Sequence, residues 1–300
     1  MKHAVGLGAS AIIVTACLAT GQRADTTSFD GGRAFEHVRQ LVAIGPRVAG
    51  SAGAAKAREY IRTQLNAQGL TVDEQPFEAA TPLGSLQMVN LRVVMPGDAA
   101  AGGRVIVAGH YDTKRFTEFR FVGANDGGSS AAFLIELARV LRGRKGGRTI
   151  EILFLDGEEA VVEWQGDDRT YGSRYYVEAA RKAGTLKDIG AVVLVDMIGD
   201  RDLRIKREAF STAWLTDIIW RAAQRAGRHE FVDEETAIED DHLPFLDAGV
   251  PAVDVIDLEY PAWHTEADTL DKISAQSLRA VADVLLAALP DIEARLGSGP

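Results

Sequence analysis

Three acidic side chains follow a short apolar run in the middle of the chain. Residues 152–155 are typical of a buried strand in a parallel sheet, and Asp156, Gly157, Glu158 and Glu159 come directly after them. Ligands of open α/β sheets bind beyond the carboxyl ends of the strands, so both glutamates would lie at a ligand site. They can serve one site only if the chain turns, which Gly157 permits. One glutamate could then bind a cation while the other transfers protons; the alternative is an acidic loop that caps a helix.

Histidines and acids also lie at the ends of three other apolar runs. These residues are His110 and Asp112 after run 105–108, Asp196 after run 191–195, and His264 in the loop after run 250–256. Parallel strands bring such ends to one edge of a sheet, where the side chains can converge. Taken one at a time, His110 could instead be a core histidine, and Asp112 or Asp196 a turn-forming residue.

A glycine-rich segment at 123–130 lies between the first two runs and opens a predicted helix. It lacks the lysine and the spacing of a known phosphate-binding loop, so Asp126 within it fits better as a metal ligand. A histidine with several carboxylates and no thiol suits a zinc ion of the catalytic kind, with three protein ligands and an open position. The sequence therefore predicts a zinc site at the strand ends.

The elements that must position these residues are strands that alternate with helices. The predicted helices are 29–44, a segment that Ser51 caps and that ends at Gly69, 129–141, 171–183, 212–226 and 274–296. The predicted strands are 71–77, 86–95, 105–108, 150–155, 191–195 and 250–256. The first two strands are expected to pair antiparallel at a sheet edge. The pattern predicts one α/β domain with a central, mostly parallel mixed sheet flanked by helices.

The composition excludes some classes of function. Hydrophobic residues make up 46% of the 300 residues, which is enough for a large core. The net charge of -10 argues against a nucleic-acid partner, which would require a basic face. After the N-terminal segment, no run approaches the roughly 18 uninterrupted apolar residues of a membrane span.

The N-terminus is typical of an export signal. Lys2 and His3 precede an apolar stretch at 4–16, and Cys17, the only cysteine, follows a sequence that resembles the lipobox of bacterial lipoproteins. The predicted divisions of the chain are a signal peptide at 1–17, a short tether at 18–28 and a zinc-dependent catalytic domain at 29–300. The protein would be periplasmic or on the outer surface and would contact the membrane only through a lipid on Cys17. Cleavage near Ala24, which discards Cys17, is the alternative.

Together these motifs resemble the exopeptidase-like zinc enzymes, whose two branches are the co-catalytic zinc aminopeptidases and the animal-type glutaminyl cyclases. The residues that carry the resemblance are His110-Tyr-Asp112, Gly123-Ala-Asn-Asp126, Gly157-Glu158-Glu159, Asp196 and His264. The resemblance runs from about Gly45 to the last helix and implies a single α/β domain with a mixed sheet. For the aminopeptidase branch it implies two zinc ions held by His110, Asp126, Glu159, Asp196 and His264. Glu158 would then be the base that activates water.

Further segments are similar to the glutaminyl cyclase branch in particular. They are 110–114, 121–126, 156–160 with Trp164, Asp168 with 171–174, 196–199, 239–245 and 263–265. The most specific of them is Glu239-Asp-Asp-His242-Leu-Pro-Phe245. For this branch the resemblance implies one zinc ion held by Asp126, Glu159 and His264. It also implies a hydrogen-bonded acid network of Glu158, Asp196 and Asp240.

The resemblance therefore implies a glutaminyl-peptide cyclotransferase, which converts the N-terminal glutamine of peptides or proteins to pyroglutamate and releases ammonia. The expected site residues are Glu158, Asp240 and Asp196 for proton transfer, and Trp164, Trp263, Asp241 and His242 for substrate binding. The first alternative is an aminopeptidase with a second zinc ion and a water nucleophile. The second is an exported binding protein on a degenerate enzyme scaffold. We expect a monomer.

Overall fold

The computed structural model describes residues 1–3 and 28–297. The strands are β1 Asp73–Thr81, β2 Gly84–Met95, β3 Arg104–His110, β4 Thr149–Leu155, β5 Ile189–Asp196, β6 Ile205–Glu208, β7 Phe231–Thr236 and β8 Ala252–Ile256. The α-helices are α1 Gly31–Ile44, α2 Ala52–Ala67, α3 Gly128–Leu141, α4 Tyr171–Lys182, α5 Ala213–Ala226, α6 Leu243–Asp247 and α7 Ala275–Gly297. Cys17 and almost all of the predicted signal peptide and tether lie outside the described residues.

The centre of the main sheet is parallel, as predicted. This six-stranded sheet has the order β1-β2-β4-β3-β5-β8, and its last four strands run parallel to one another. His110 is level with Leu155 in the pairing of β3 with β4, and Asp196 is level with Ile256 in the pairing of β5 with β8. The carboxyl ends of these strands therefore meet at one side of the sheet, which we call the carboxyl edge.

Two antiparallel strands complete the main sheet on the side of β4. β1 and β2 form a hairpin, and β2 pairs antiparallel with β4. This confirms the predicted antiparallel pair at a sheet edge. The hairpin extends further than the sequence suggested, because β1 continues to Thr81 and β2 begins at Gly84.

Alternate side chains of the central strands pack on opposite faces of the sheet. Val105 and Val107 of β3 belong to a large core with residues of α1, α2, α3, α5 and α7. Ile106 and Ala108 belong to a smaller core with residues of α4 and α6. Burial on both faces explains why these strands read as continuous apolar runs rather than as alternating patterns.

Polar caps fix the starts of the first two helices. The Asp30 carboxylate accepts hydrogen bonds from the N–H groups of Gly32 and Arg33, so α1 begins at Gly31 and not at the predicted Phe29. Phe29 packs in the core instead, with its ring centroid 5.1 Å from that of Phe133. The Ser51 hydroxyl accepts from the N–H of Ala54 at 3.2 Å and caps α2, as predicted.

Three elements were not predicted from the sequence. Strand β6 has only four residues, and β7, its partner in a separate two-stranded sheet, exposes Asp233, Glu234 and Glu235. Neither strand has an apolar run or a clear alternation. Helix α6 has five residues, too few to display helical periodicity. Within the described part of the chain, every helix is too short or too polar to cross a bilayer.

Candidate metal centre and active site

A first group of potential metal ligands lies at the carboxyl edge. His110 and Asp196 end β3 and β5, and both are buried. Nε2 of His110 lies 3.0 Å from Oδ1 of Asp196 and 3.3 Å from Oδ1 of Asp126. Asp126 comes from the turn before α3, where Gly127 has a φ of 70°. The donor atoms of His110, Asp126 and Asp196 all lie within 4.8 Å of one another.

A second group shares Asp126 and adds Glu159 and His264. Nε2 of His264 lies 3.3 Å from Oδ2 of Asp126 and 3.1 Å from Oε1 of Glu159. The donor atoms of this group also lie within 4.8 Å of one another. The structure therefore brings together all five predicted ligands, with Asp126 common to both groups.

The donor set of each group fits a zinc ion. Each group offers one imidazole and two carboxylates, which are three ligands of the kinds that zinc binds. Oδ2 of Asp126 is buried and makes no hydrogen bond, and its polar neighbour is Nε2 of His264 at 3.3 Å. A bound cation would give this buried carboxylate oxygen the partner that it needs. The second group is the more accessible, because the side chain of His264 is 28% exposed and that of His110 only 1%.

The turn that carries the two glutamates is fixed by backbone contacts. Gly157 has a φ of 71°, a conformation that favours glycine. The carboxylate of Asp112 accepts hydrogen bonds from the N–H groups of Glu158 at 3.2 Å and of Glu159 at 3.4 Å. The carbonyl of Glu158 accepts from the N–H of Thr170. The chain turns here as predicted, and both glutamates face one cavity.

A second carboxylate fixes the loop before α3. Asp268 accepts hydrogen bonds from the N–H groups of Asn125 at 2.8 Å and of Asp126 at 3.1 Å. It also accepts from the hydroxyl of Tyr260 at 2.7 Å. Asp268 was not predicted as a site residue, because it lies 142 residues from Asp126 along the chain and its sequence neighbours do not distinguish it from a surface acid. Its position shortly after His264 was the one available signal.

His264 is held by aromatic rings. Its ring centroid lies 5.8 Å from that of Phe116 and 6.0 Å from that of Phe121, both edge to face, and 4.6 Å from that of Trp263. His264 also has a positive φ of 54°. Phe116 and Phe121 could not be assigned to the site from the sequence, because they lie more than 140 residues before His264 and the sequence does not show which residue they contact.

Burial raises the pKa of acids in the site. It raises the pKa of Glu158 well above the ordinary range, and the charges of Glu159, Asp240 and Asp241 raise that pKa further, against the opposing charge of His110. A carboxyl with raised proton affinity can accept and return a proton near neutral pH. Glu158 therefore has the property that a proton carrier requires.

A cavity of about 520 Å³ opens above these residues. The acids and the histidine on its surface are Asp126, Glu158, Glu159, Asp196, Asp240 and His264. Trp164 and Trp263, predicted to line a substrate slot, both line this cavity, as do Ile238 and Leu258. The ring of Trp164 also lies 5.6 Å from the guanidinium of Arg169.

Two predicted substrate contacts do not reach the cavity. Asp241 and His242 are fully buried behind Asp240 and do not line the cavity. Asp241 accepts a hydrogen bond from the Ser173 hydroxyl at 2.5 Å, and Nε2 of His242 lies 3.1 Å from Oε2 of Glu208. The structure thus places both side chains outside the lining of the cavity, and their predicted role in substrate binding stays a prediction. Of the three consecutive residues Asp240, Asp241 and His242, only Asp240 lines the cavity, because the chain turns there before α6 begins.

The fold and the site together define the class of protein. A mixed α/β sheet with histidine and carboxylate ligands at the ends of its parallel strands places the chain in the zinc aminopeptidase-like superfamily. More narrowly, the chain belongs to peptidase family M28, whose sequence pattern matches residues 90–289.

Similar proteins include glutaminyl cyclases and an aminopeptidase. The glutaminyl-peptide cyclotransferase-like protein of Mus musculus is 32% identical over 263 residues, which cover 77% of this chain and 68% of the relative. The crystal structure of an Acidobacteriales bacterium glutaminyl cyclase has a TM-score of 0.85 at 40% identity and covers 97% of this chain and 100% of its own. The crystal structure of a leucine aminopeptidase precursor from Bacteroides thetaiotaomicron has a TM-score of 0.79 at 26% identity, with coverages of 88% and 98%.

Proposed function

We propose that this protein is a glutaminyl-peptide cyclotransferase, which converts the N-terminal glutamine of peptides or proteins to pyroglutamate and releases ammonia. The observation that carries this proposal is the position of Glu158. Its carboxyl is buried, has a raised pKa and lies in the same cavity as the ligand group of Asp126, Glu159 and His264. The similarity to glutaminyl cyclases over most of the chain supports the same activity.

In the proposed reaction the free α-amine of glutamine attacks the carbonyl carbon of its own side-chain amide. A carbon–nitrogen bond forms and closes the ring, and the bond to the amide nitrogen breaks. Glu158 takes a proton from the attacking amine and returns it to the leaving nitrogen, which departs as ammonia. The enzyme therefore has no net gain or loss of protons over the cycle. The charge of Asp240 raises the pKa of Glu158 and helps it to accept that proton.

Asp126, Glu159 and His264 are the residues that would hold a single zinc ion. When bound, the ion would polarise the amide carbonyl and stabilise the negative charge that develops on its oxygen. The protein orients two of these ligands itself. Asp268 holds the backbone of Asp126, and aromatic rings surround His264. Such outer contacts raise metal affinity because the ligands need less reordering on binding.

Trp164 and Trp263 would give the cavity its preference for a folded-back glutamine. The α-amine reaches the side-chain amide only when the residue bends, and rigid aromatic walls can hold that compact shape. Both rings lie on the wall of the cavity that contains Glu158. An extended peptide backbone would not require such walls.

An aminopeptidase is the second candidate function. The group of His110, Asp126 and Asp196 favours it, because a peptidase of this class would use a second zinc ion there. Glu158 would then act as the base for a water nucleophile. The similarity to a leucine aminopeptidase precursor also supports this alternative. The small exposure of His110, whose side chain is 1% accessible against 28% for His264, favours a single ion in the other group and therefore the cyclase.

We further propose that the protein acts on free N-termini in an exported compartment, as a monomer with a lipid on Cys17. The support for export and lipidation is the sequence of residues 1–17. No part of the described structure bears on the lipid, because Cys17 lies outside it.

The activity can be tested with purified protein and a peptide that begins with glutamine. Release of one ammonia per peptide, followed by mass spectrometry of the product, is the expected result. The same peptide with an acetylated N-terminus should not react, because its nitrogen can no longer attack. Equal ammonia release from both peptides would indicate a side-chain amidase and would contradict the proposal.

A further inference from the structure

Arg47 is a fully buried arginine in the segment between α1 and α2, and it takes no part in the reaction proposed above. Its guanidinium donates hydrogen bonds to four backbone carbonyls. The acceptors are the carbonyl oxygens of Tyr111 at 2.8 Å, Val122 at 2.6 Å, Gly123 at 2.8 Å and Asp126 at 3.3 Å. The backbone N–H of Arg47 donates to the Thr113 hydroxyl at 2.9 Å.

These carbonyls belong to the two loops that carry the metal-binding residues. Tyr111 lies between His110 and Asp112, just beyond β3, while the other three acceptors lie in the loop at 122–126 that ends at the shared ligand Asp126. Neither loop has regular secondary structure, so its carbonyls need partners from elsewhere. A guanidinium has five N–H donors in a rigid plane, and Arg47 uses that plane to join the two loops.

The loop is packed closely onto this guanidinium. Gly123 has a φ of 50°, and a Cβ added there would lie 2.3 Å from the carbonyl oxygen of Asp126 and 3.3 Å from Nη2 of Arg47. A Cβ added at Gly128 would lie 2.4 Å from the carbonyl oxygen of Gly123. The glycines therefore allow the loop to close around Arg47, and a side chain at either position would push the loop away from it.

We propose that Arg47 is a positioning residue that holds the Asp126 loop in its metal-binding conformation before the ion arrives. The carboxylate of Asp268 accepts hydrogen bonds from N–H groups of the loop, and the guanidinium of Arg47 donates hydrogen bonds to carbonyls of the loop. The carboxylate of Asp126 is then already oriented between His110 and His264, so zinc binding loses no further conformational entropy in ordering the loop. The inference rests on the metal site of the proposed function and does not depend on whether the reaction is cyclisation or hydrolysis.

A purely structural buried cation is the competing explanation. Arg47 lies near the acids Asp268, Asp126 and Asp112, whose charges favour its protonated form against the effect of burial. If only the positive charge of Arg47 mattered, a lysine at this position would preserve zinc binding and the order of the loop. Lysine has a compact ammonium group with three donors and cannot reproduce a planar contact with four carbonyls. The Arg47→Lys variant therefore separates the two explanations.

The matched control is Arg92→Lys. Arg92 on β2 donates to a buried acid, Glu151, with which it makes an ion pair at 2.7 Å, and neither residue lines the active-site cavity. Both variants keep the charge and both weaken a buried network. If only Arg47→Lys lost metal affinity, the loss would come from the conformation of the Asp126 loop and not from lower stability of the whole protein.

Two measurements test the proposal. The first is the zinc dissociation constant of folded protein, obtained by competition with a chromophoric chelator. We expect Arg47→Lys to weaken zinc binding by about 10-fold or more and Arg92→Lys to leave it unchanged. The second is amide hydrogen exchange across residues 121–127 after zinc removal by a chelator. We expect faster exchange there in Arg47→Lys than in the wild type, and unchanged exchange in Arg92→Lys.

A folded Arg47→Lys with wild-type zinc affinity and wild-type exchange in this loop would overturn the proposal. If Arg47→Lys does not fold, Gly128→Ala provides a second test, because an added Cβ would lie 2.4 Å from the carbonyl oxygen of Gly123 and would push that acceptor away from the guanidinium. Unchanged zinc affinity in that variant would overturn the proposal as well. Zinc affinity is measured without substrate and does not depend on the reaction. If the wild type showed no cyclase activity but Arg47→Lys still weakened zinc binding, only the proposed function would be contradicted.

Discussion

Nε2 of His110 lies 3.0 Å from Oδ1 of Asp196, so two potential metal ligands on adjacent strands bind each other. Both side chains are buried, and burial raises the pKa of Asp196 to about 6, while the charge of His110 opposes that rise. A second ion at this position would have to break their hydrogen bond. An ion in the group of Asp126, Glu159 and His264 would also replace a hydrogen bond, that of 3.1 Å between His264 and Glu159. That group is the more accessible, because the side chain of His264 is 28% exposed and that of His110 only 1%.

We therefore predict one tightly bound zinc ion per chain. Protein saturated with zinc and then dialysed should retain one equivalent by elemental analysis, and His110→Ala should still retain it. His264→Ala should lose it. Two retained equivalents in the wild type, with one lost on His110→Ala, would contradict the single-zinc account and favour the aminopeptidase.

Substitution of Glu158 should remove turnover but not zinc, whereas substitution of Glu159 should remove both. Glu158→Gln should retain zinc and fold but lower kcat by about 100-fold or more, because the proton carrier is lost. Glu159→Ala should lose zinc as well as activity. Glu163→Gln, an exposed acid on the same loop, is the control and should behave as the wild type. A zinc-free Glu158→Gln, or a fully loaded and active Glu159→Ala, would reverse the assignment of these roles.

The turn at Gly157 should tolerate no side chain. Its φ is 71°, and an added Cβ would lie 2.5 Å from Sδ of Met88. Gly166 is a matched control, with a φ of 58° and open space around its Cβ position. Gly166→Ala should lower the free energy of unfolding by about 1 to 2 kcal/mol through backbone strain alone. Gly157→Ala should lower the free energy of unfolding further, measured by thermal unfolding, and should also weaken zinc binding, measured by chelator competition. If Gly157→Ala and Gly166→Ala had equal effects, the contact with Met88 would be unimportant.

The parallel centre of the sheet could be predicted because burial on both faces leaves a plain sequence signal. The run at 191–195 contains only apolar residues and leads directly to Asp196, and the structure extends it by two residues at its start, to Ile189. Strands β6 and β7 could not be found in this way. They form a small sheet of their own with exposed charges, so no pattern of burial marks them.

The candidate ligands could be found from their positions at or after the ends of the strands, but the residues that position them could not. Asp112 lies close to His110 in the sequence, yet it binds the N–H groups of Glu158 and Glu159. Arg47 and Asp268 come from opposite ends of the domain and meet the same loop. Their roles depend on tertiary contacts, and a single sequence carries no record of those contacts.

The predicted lipid on Cys17 can be tested by cell fractionation. Wild-type protein should remain with the membrane fraction after a high-salt wash, because a lipid is not displaced by salt. Cys17→Ala should appear in the soluble exported fraction or accumulate uncleaved. Equal membrane retention of mature wild-type and Cys17→Ala protein would count against lipidation.

The central claim is that the cavity performs cyclisation of an N-terminal glutamine and not cleavage of a peptide bond. The most direct measurement gives the zinc-loaded enzyme a glutaminyl peptide and, in parallel, leucyl and alanyl amides, with Glu158→Gln as the inactive control. The account predicts that the glutaminyl peptide loses one ammonia in mass at its N-terminus, while the amides stay intact. Free leucine and alanine from the amides, together with an unchanged glutaminyl peptide, would contradict it and identify the protein as an aminopeptidase.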